Sequence, residues 1–534
     1  MISEKTCIDL YNSHVVADSH ESSDYFGLIK ALIAEKDGEN DETIDDFIAR
    51  AYRLIADEIT QNSSKPVTEV SFGTSGWRGI LGKDIFQKSV LSVTAAIVKL
   101  YQTMDAHPGL DEILGVSSLK EARKRGCLVG HDNRFGGETL GRAVAAYLLD
   151  HGFTVYYCGE TTTGVLSAAL LELKAAFSVN LTPSHNPLEY GGYKYNAADA
   201  GPAASELTSL ITQYSREIIV SEAIPESLDK PNPGTLLETD SFALWQALVV
   251  KNRGTHGIDY QAVCDKASRM EDLIIAIDSV HGASRLHIQK LLGSAARSLV
   301  MLRGEADVSF GGIAPEPSSE NMQGVVDALA GSDKTLRIGA IIDPDGDRIR
   351  FSDGINEISM NVFGAMAYHF LHEQKGLKGM VAKTVATSNL ANSVAAKLGE
   401  AVFEPKVGFK EFKPVIGRAL VLFEESDGIS IIGHTPEKDA YIGLLLALDM
   451  VVTTGKNLGE IRDDIERLYG HYYPARDGVE VGLKGEELLI ALDKLKRYDV
   501  GSLVSVGDTK KKIKEVLAID GRKIIFDDDS WLMI

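Results

Sequence analysis

Two polar loops, far apart in the chain, hold the side chains whose types and spacing can do chemistry. One is Leu181-Thr-Pro-Ser-His-Asn-Pro187, which sets the Ser184 hydroxyl between two prolines with His185 beside it. The other is Ile341-Ile-Asp-Pro-Asp-Gly-Asp-Arg348, with Asp343, Asp345 and Asp347 at alternate positions. Alternate carboxylates can converge on one ion, and an all-oxygen donor set selects Mg²⁺ or Ca²⁺. An EF-hand is excluded, because its loop needs Gly where Arg348 stands and Glu where Gly354 stands. Ser184 is not in a G-x-S-x-G elbow either, since Thr182 and Asn186 flank it. A hydroxyl nucleophile and a hard-cation site together point to a serine that carries a phosphoryl group beside a divalent metal. The paired carboxylates also fit an aspartyl-phosphate phosphatase. Taken singly, the serine loop reads more readily as a plain turn, whereas for the acidic loop a solvated turn is the lesser reading.

Three further turns could serve the same chemistry. In Gly73-Thr-Ser-Gly-Trp-Arg-Gly79, backbone amides and the Arg78 guanidinium can grip a phosphate. Lys194, in Gly191-Gly-Tyr-Lys-Tyr-Asn196, could lower the pKa of a neighbouring nucleophile or act as a base. Glu424 and Ser426, in Phe423-Glu-Glu-Ser-Asp-Gly428, suit sugar hydroxyls. Glycine turns, solvated lysines and strand-end turns are common, so each gains weight only from the others.

The elements that must position these loops recur. An apolar strand, a polar loop, an amphipathic helix and a second strand start at Cys127, at Leu273 and at Met380. Each is a βαβ pattern, and three of them suggest three related α/β domains. Ile48, Tyr52, Ile55 and Ile59 recur at helical spacing, so residues 1–65 read as a helical extension with a turn near 36–42. A proline-rich stretch from 225 to 234 reads as a linker. A further boundary falls near His471-Tyr-Tyr-Pro474. Beyond it, a strand at 478–482, a helix at 486–495 and a strand at 523–526 make a small α+β segment. The expected domains are 1–65, 66–225 with the serine loop, 226–350 with the acidic loop, 351–470 with the Glu424 loop, and a partial one at 471–534.

At 534 residues the chain suits about three or four domains of roughly 150 residues each. Its net charge of -21, from 76 acidic and 55 basic residues, argues against nucleic acid or an anionic membrane as partner. An anionic substrate would then need locally placed Arg, Lys or metal. The four cysteines, Cys7, Cys127, Cys158 and Cys264, form no CxxC pair and read as reduced thiols of a cytoplasmic protein. The start of the chain has no apolar signal-like segment, and no apolar run reaches the ~20 residues of a membrane span.

Taken together, the ordered motifs at 73–79, 182–187, 343–348 and 424–426 resemble those of the α-D-phosphohexomutases, most of all their phosphoglucomutase branch. The resemblance implies three related α/β domains and a smaller fourth around a central cleft. It implies that Ser184 is the phosphorylated serine, and that Asp343, Asp345 and Asp347 bind Mg²⁺ together with a phosphate oxygen on that serine. Arg78, His185 and Lys194 would surround the serine in electrostatic and proton-transfer roles. Arg348 would sit close to the sugar, Glu424 and Ser426 would bind its hydroxyls, and Lys383 and Gly408 would line the same cleft. The implied reaction interconverts hexose 1-phosphate and hexose 6-phosphate through a hexose 1,6-bisphosphate, with glucose 1,6-bisphosphate as activator. Two departures stand out. Asp427 takes a place that the family usually gives to an uncharged residue. The Arg-x-Ser-Gly-Thr-type phosphate loop of the last domain is not found before the chain stops at Ile534. The second departure keeps an impaired phosphosugar-binding protein, or a metal-dependent sugar phosphatase, as alternatives.

Overall fold

The computed structural model of the chain describes residues 4–36, 41–73, 75–222, 224, 232–478, 481–483 and 485–534. The chain divides into two compact units, Met1–Ile358 with Gly433–Gly459, and Ser359–Ile432 with Glu460–Ile534.

The first unit holds two mixed sheets. One contains β1 (Trp77–Ile80), β2 (Cys127–His131), β3 (Val155–Glu160), β4 (Phe177–Leu181), β5 (Tyr190–Ala197) and β6 (Leu236–Glu238), in the order β1-β5-β4-β2-β3-β6. The other contains β7 (Leu273–Asp278), β8 (Leu299–Leu302), β9 (Leu336–Ile342), β10 (Ile349–Ser352) and β11 (Glu357–Ile358), in the order β11-β10-β9-β7-β8. The second unit holds β12 (Met380–Lys383), β13 (Val402–Phe403), β14 (Ala419–Glu424) and β15 (Gly428–Ile431), ordered β13-β12-β14-β15. It also holds an antiparallel sheet of β16 (Leu503–Val506), β17 (Thr509–Leu517), β18 (Lys523–Phe526) and β19 (Trp531–Met533).

The three mixed sheets share one plan. Each contains a four-strand unit (β2–β5, β7–β10 and β12–β15) whose first strand lies between the second and the third, parallel to both. A fourth strand then returns antiparallel to the third. Parallel strands buried on both faces must be apolar throughout, which is why Leu273-Ile-Ile-Ala-Ile shows no alternation and is buried at every position. The hairpin from third to fourth strand carries Ser184 in the first sheet, Asp343–Asp347 in the second and Glu424–Asp427 in the third. Equivalent positions at strand ends thus hold all three candidate loops, as expected for ligand sites of open α/β sheets.

The N-terminal segment is helical over Glu4–His14, Tyr25–Ala34 and Glu42–Gln61. Ile44, Phe47, Ile55 and Ile59 of the last helix are buried, with Ile48 and Tyr52 partly so. Lys30 of the middle helix pairs with Glu189 of the serine hairpin at 2.7 Å. Most of the turn expected near 36–42 and most of the linker at 225–234 lie outside the described residues. The helix expected at 486–495 spans Gly485–Asp493. The strand expected at 478–482 is corrected: residues 478 and 481–483 are not in a strand, and 479–480 lie outside the description. Val481 stays 54% exposed; alternation supplied a period there, but a strand also needs an edge to pair with. Among the described residues, no single helix is long and apolar enough to cross a membrane.

Gly192 of β5 faces the serine hairpin so closely that a Cβ would lie 2.3 Å from the Thr182 carbonyl oxygen and 2.8 Å from Pro183 Cα. Backbone is hard to displace, so Gly192→Ala is expected to destabilise the fold by about 1–3 kcal/mol. At ~2–4 °C per kcal/mol, a thermal melt should fall by several degrees. An unchanged melt would show that β5 can step aside.

Candidate active site

The serine hairpin leaves β4 at Leu181 and passes Pro183 and Pro187, neither of which has a backbone N–H to give. Ser184 sits in the left-handed region at φ 59°, a strained geometry for a non-glycine residue that clusters at functional sites. Its N–H donates to Thr182 Oγ1 at 2.9 Å. Its Oγ–H donates to Asp343 Oδ2 at 2.8 Å, and Oγ lies 3.3 Å from His185 Nδ1. Ser184 is 1% exposed.

Asp343, Asp345 and Asp347 are fully or almost fully buried, and one oxygen from each lies within 4.8 Å of the others. The Asp347 and Arg348 N–H groups both donate to Asp343 Oδ1 at 3.0 Å. Gly346 turns the loop at φ 64°, where a Cβ would strike the Thr162 side chain at 2.6 Å. Thr163 ties the loop to the first sheet: its N–H reaches Asp345 O at 2.8 Å and its hydroxyl reaches Asp345 Oδ2 at 2.7 Å.

Such a triad repels itself unless cations answer it. Lys194 of β5 donates to Asp347 Oδ2 at 2.8 Å and also to Asp345 Oδ2, and Lys438 lies 3.3 Å from Asp347. Burial alone would depress the Lys194 pKa, but the Asp345 and Asp347 carboxylates overcome it and hold the group as an ammonium. Burial, then Asp345 and Asp347, push the Asp343 carboxyl well up. Burial also acts on Asp347, yet Lys194, Lys438 and Arg348 hold it well below the usual range. His185 falls to about 3 through burial and the nearby Arg348 and Arg78, so its ring is neutral. Arg78 Nη1 donates to Asn186 Oδ1 of the serine hairpin at 2.9 Å.

The structure therefore brings together Ser184, His185, Arg78, Lys194, Arg348 and the three aspartates, all in the first unit. Thr74 of the glycine-rich turn lies outside the described residues. Sequence reasoning missed Lys438 and Glu437, which arrive from the segment between β15 and the buried apolar helix Ala440–Thr454. Glu437 accepts from Asn196 at 3.2 Å, and burial raises its pKa to about 7. The available signal was a lysine flanked by two acids just before a largely apolar helix.

In the second unit, Glu424 closes β14 and is buried; Ser426 and Asp427 form the hairpin tip, with Asp427 at φ 71°. Glu425 accepts from Thr384 Oγ1 at 2.7 Å, bracing this tip against the end of β12. Gly408 precedes a 3₁₀ segment at φ 120°. Lys383 is fully buried, with Nζ 3.0 Å from both Glu404 and the Thr387 carbonyl oxygen. Burial, against the pull of Glu404, lowers its pKa to about 8. It braces the strand end from within and shows no charge at the surface.

Three sequence models of the family match: Phosphoglucomutase/phosphomannomutase, alpha/beta/alpha domain I at residues 111–219, domain II at 256–355 and domain III at 360–469. The chain is 26% identical over 475 residues to the phosphoglucomutase/phosphomannomutase of Thermococcus kodakarensis, covering 87% of this chain and 91% of that one. It is 25% identical over 461 residues to phosphoglucomutase-1 of Bos taurus, covering 78% and 79%. In fold it is similar to a putative phosphomannomutase from Thermus thermophilus, with a TM-score of 0.67, 23% identity and coverage of 87% and 93%. Phosphotransferase mutases are the class in which this architecture is found. The chain belongs to the phosphoglucomutase/phosphomannomutase family of α-D-phosphohexomutases.

Proposed function

We propose that this phosphohexomutase is a phosphoglucomutase, interconverting glucose 1-phosphate and glucose 6-phosphate through phosphoSer184 and glucose 1,6-bisphosphate. The observation that carries this reading is the Ser184 hydroxyl, held 2.8 Å from a buried aspartate triad. The triad fits a divalent cation by its donors: all are hard oxygens, and Asp345 Oδ1 and Asp347 Oδ1 are buried without a hydrogen bond. Asp343, Asp345 and Asp347, with a phosphoryl oxygen on Ser184, are the proposed Mg²⁺ ligands. When bound, the ion supplies neutralising charge to the transferring group.

In the first half-reaction the Ser184 Oγ–P bond breaks as a sugar hydroxyl oxygen bonds to phosphorus, and the sugar hydroxyl proton ends on Ser184 Oγ. The bisphosphate then turns end for end. In the second, Ser184 Oγ bonds to the other phosphoryl group as that group's bond to the sugar oxygen breaks, and the Ser184 proton ends on the sugar oxygen, with Asp343 and neutral His185 the groups beside Oγ. Lys194, held as an ammonium, serves by charge and not as a base. Arg78, steered by Asn186, neutralises the phosphoryl oxygens. Arg348 faces the sugar, and Glu424 and Ser426 bind its hydroxyls. The cytoplasm is the proposed setting, and water exclusion during transfer separates a mutase from a phosphatase.

A coupled assay of glucose 1-phosphate conversion, with Mg²⁺ and catalytic glucose 1,6-bisphosphate, tests this. Isomer formation without matching phosphate release is expected. Phosphate release in excess would make the protein a phosphatase, and ligand binding without turnover would make it a phosphosugar-binding protein.

A further inference from the structure

The serine hairpin needs an outside holder. Two prolines deprive it of donors, Ser184 is in the left-handed region, and its buried carbonyls must still be satisfied. The holder is the polar segment at the end of β2, His131-Asp-Asn-Arg134. Arg134 is 5% exposed and directs its guanidinium at one stretch of backbone. Nη1 donates to Pro187 O at 2.6 Å and Tyr190 O at 3.3 Å. Nη2 donates to Ser184 O at 2.8 Å and also to Asn186 O. The planar fork of an arginine can reach four carbonyls at once; a lysine ammonium cannot span them. The guanidinium carbon lies 4.8 Å from the Phe310 ring centroid, which fixes it from the side of the second sheet.

The other edge of the same hairpin is held by Asp132, which is fully buried. Its Oδ2 accepts from Thr182 Oγ1 at 2.6 Å, and that hydroxyl accepts the Ser184 N–H. Its Oδ1 accepts the Arg134 N–H at 3.0 Å, and its Oδ2 is 3.5 Å from Arg134 Nε. Asp132 and Arg134 therefore grip both ends of the Ser184 residue: the N–H through Thr182, and the C=O directly. Neither side chain touches Ser184 Oγ.

We infer that Arg134, with Asp132 acting through Thr182, is a positioning pair that sets Ser184 Oγ over the aspartate triad for phosphoryl transfer. The inference rests on Ser184 being the phosphoryl carrier. A misplacement of about 1 Å at a reacting atom costs on the order of a hundredfold in rate, so the grip acts on kcat. Hexose phosphate affinity depends on other loops and changes little.

Wild type, Arg134→Lys, Arg134→Ala and Thr182→Val are compared by kcat and KM, and by intact mass after incubation with glucose 1,6-bisphosphate and Mg²⁺. Wild type should gain one phosphoryl group. Arg134→Lys and Thr182→Val should lose roughly a hundredfold in kcat with KM within about twofold, and should phosphorylate slowly. Arg134→Ala should regain turnover with non-denaturing guanidinium chloride but not with sodium chloride, a response that general loosening of the fold does not give. Absence of phosphorylation in wild type overturns the phosphoserine reading itself. Wild-type-like kcat in Arg134→Lys, alongside a normally phosphorylated wild type, overturns the positioning role alone. Should the Arg134 variants fail to fold, Thr182→Val decides: unchanged kcat there sinks the proposal, and a kcat-specific loss supports it.

Discussion

Replacing Ser184 by alanine is expected to reduce mutase turnover to the detection floor, on the roughly 10⁶-fold scale seen when a covalent nucleophile is removed. The protein should also take up no phosphoryl group from glucose 1,6-bisphosphate. The backbone allows a sharper version of the test. Ser184 sits at φ 59°, a region that costs a Cβ-bearing residue about 1–2 kcal/mol and glycine little. Ser184→Gly removes the nucleophile and relieves that strain. Both variants also lose the Oγ–H bond to Asp343, worth about 1 kcal/mol. The glycine variant should therefore melt above the alanine variant while being equally inactive. Activity that followed stability, higher in glycine than in alanine, would mean the serine is structural. Measurable turnover in both would move the phosphoryl carrier elsewhere.

The candidate site of the first unit was legible because its residues sit in short local patterns at strand ends. Prolines around Ser184 and acids at alternate positions after Ile342 mark the two loops within a few residues. The repeat was legible for a related reason: parallel strands buried on both faces leave unbroken apolar runs, and three such runs followed by helices are visible by eye. The antiparallel fourth strands were not, although they complete the hairpins that carry the loops. Tyr190–Ala197 alternates glycine, tyrosine and polar residues and is buried at all but its first position, so neither period identifies it. Lys438 was missed for a different reason. It closes on Asp347 at 3.3 Å only because the segment after β15 rejoins the first unit, and no local pattern reports a return in space. At 478–482 the reading failed in the opposite direction: local alternation suggested a strand, and the described residues 478, 481 and 482 are not in one.

Lys194 carries the last and most diagnostic expectation. Lys194 is 6% exposed and its ammonium is shared by Asp345 and Asp347, so Lys194→Met keeps the bulk and leaves two buried carboxylates short of a cation. Breaking a buried pair from one side costs about 3–5 kcal/mol. In chelator-treated protein the melt should fall by on the order of 10 °C, at ~2–4 °C per kcal/mol. The carboxylates left behind are the proposed metal ligands, so the lost charge can be replaced from solution. Added Mg²⁺ should stabilise the variant more than it stabilises wild type, because the site has become more negative by one charge. A cation at 100 times its Kd contributes about 2.7 kcal/mol to the folded state, enough to recover much of the loss. Turnover should stay low even then, since the lysine charge also belongs to the transferring phosphoryl group. Equal Mg²⁺-induced shifts in both proteins would show that the ion does not take over the charge of Lys194 at the triad.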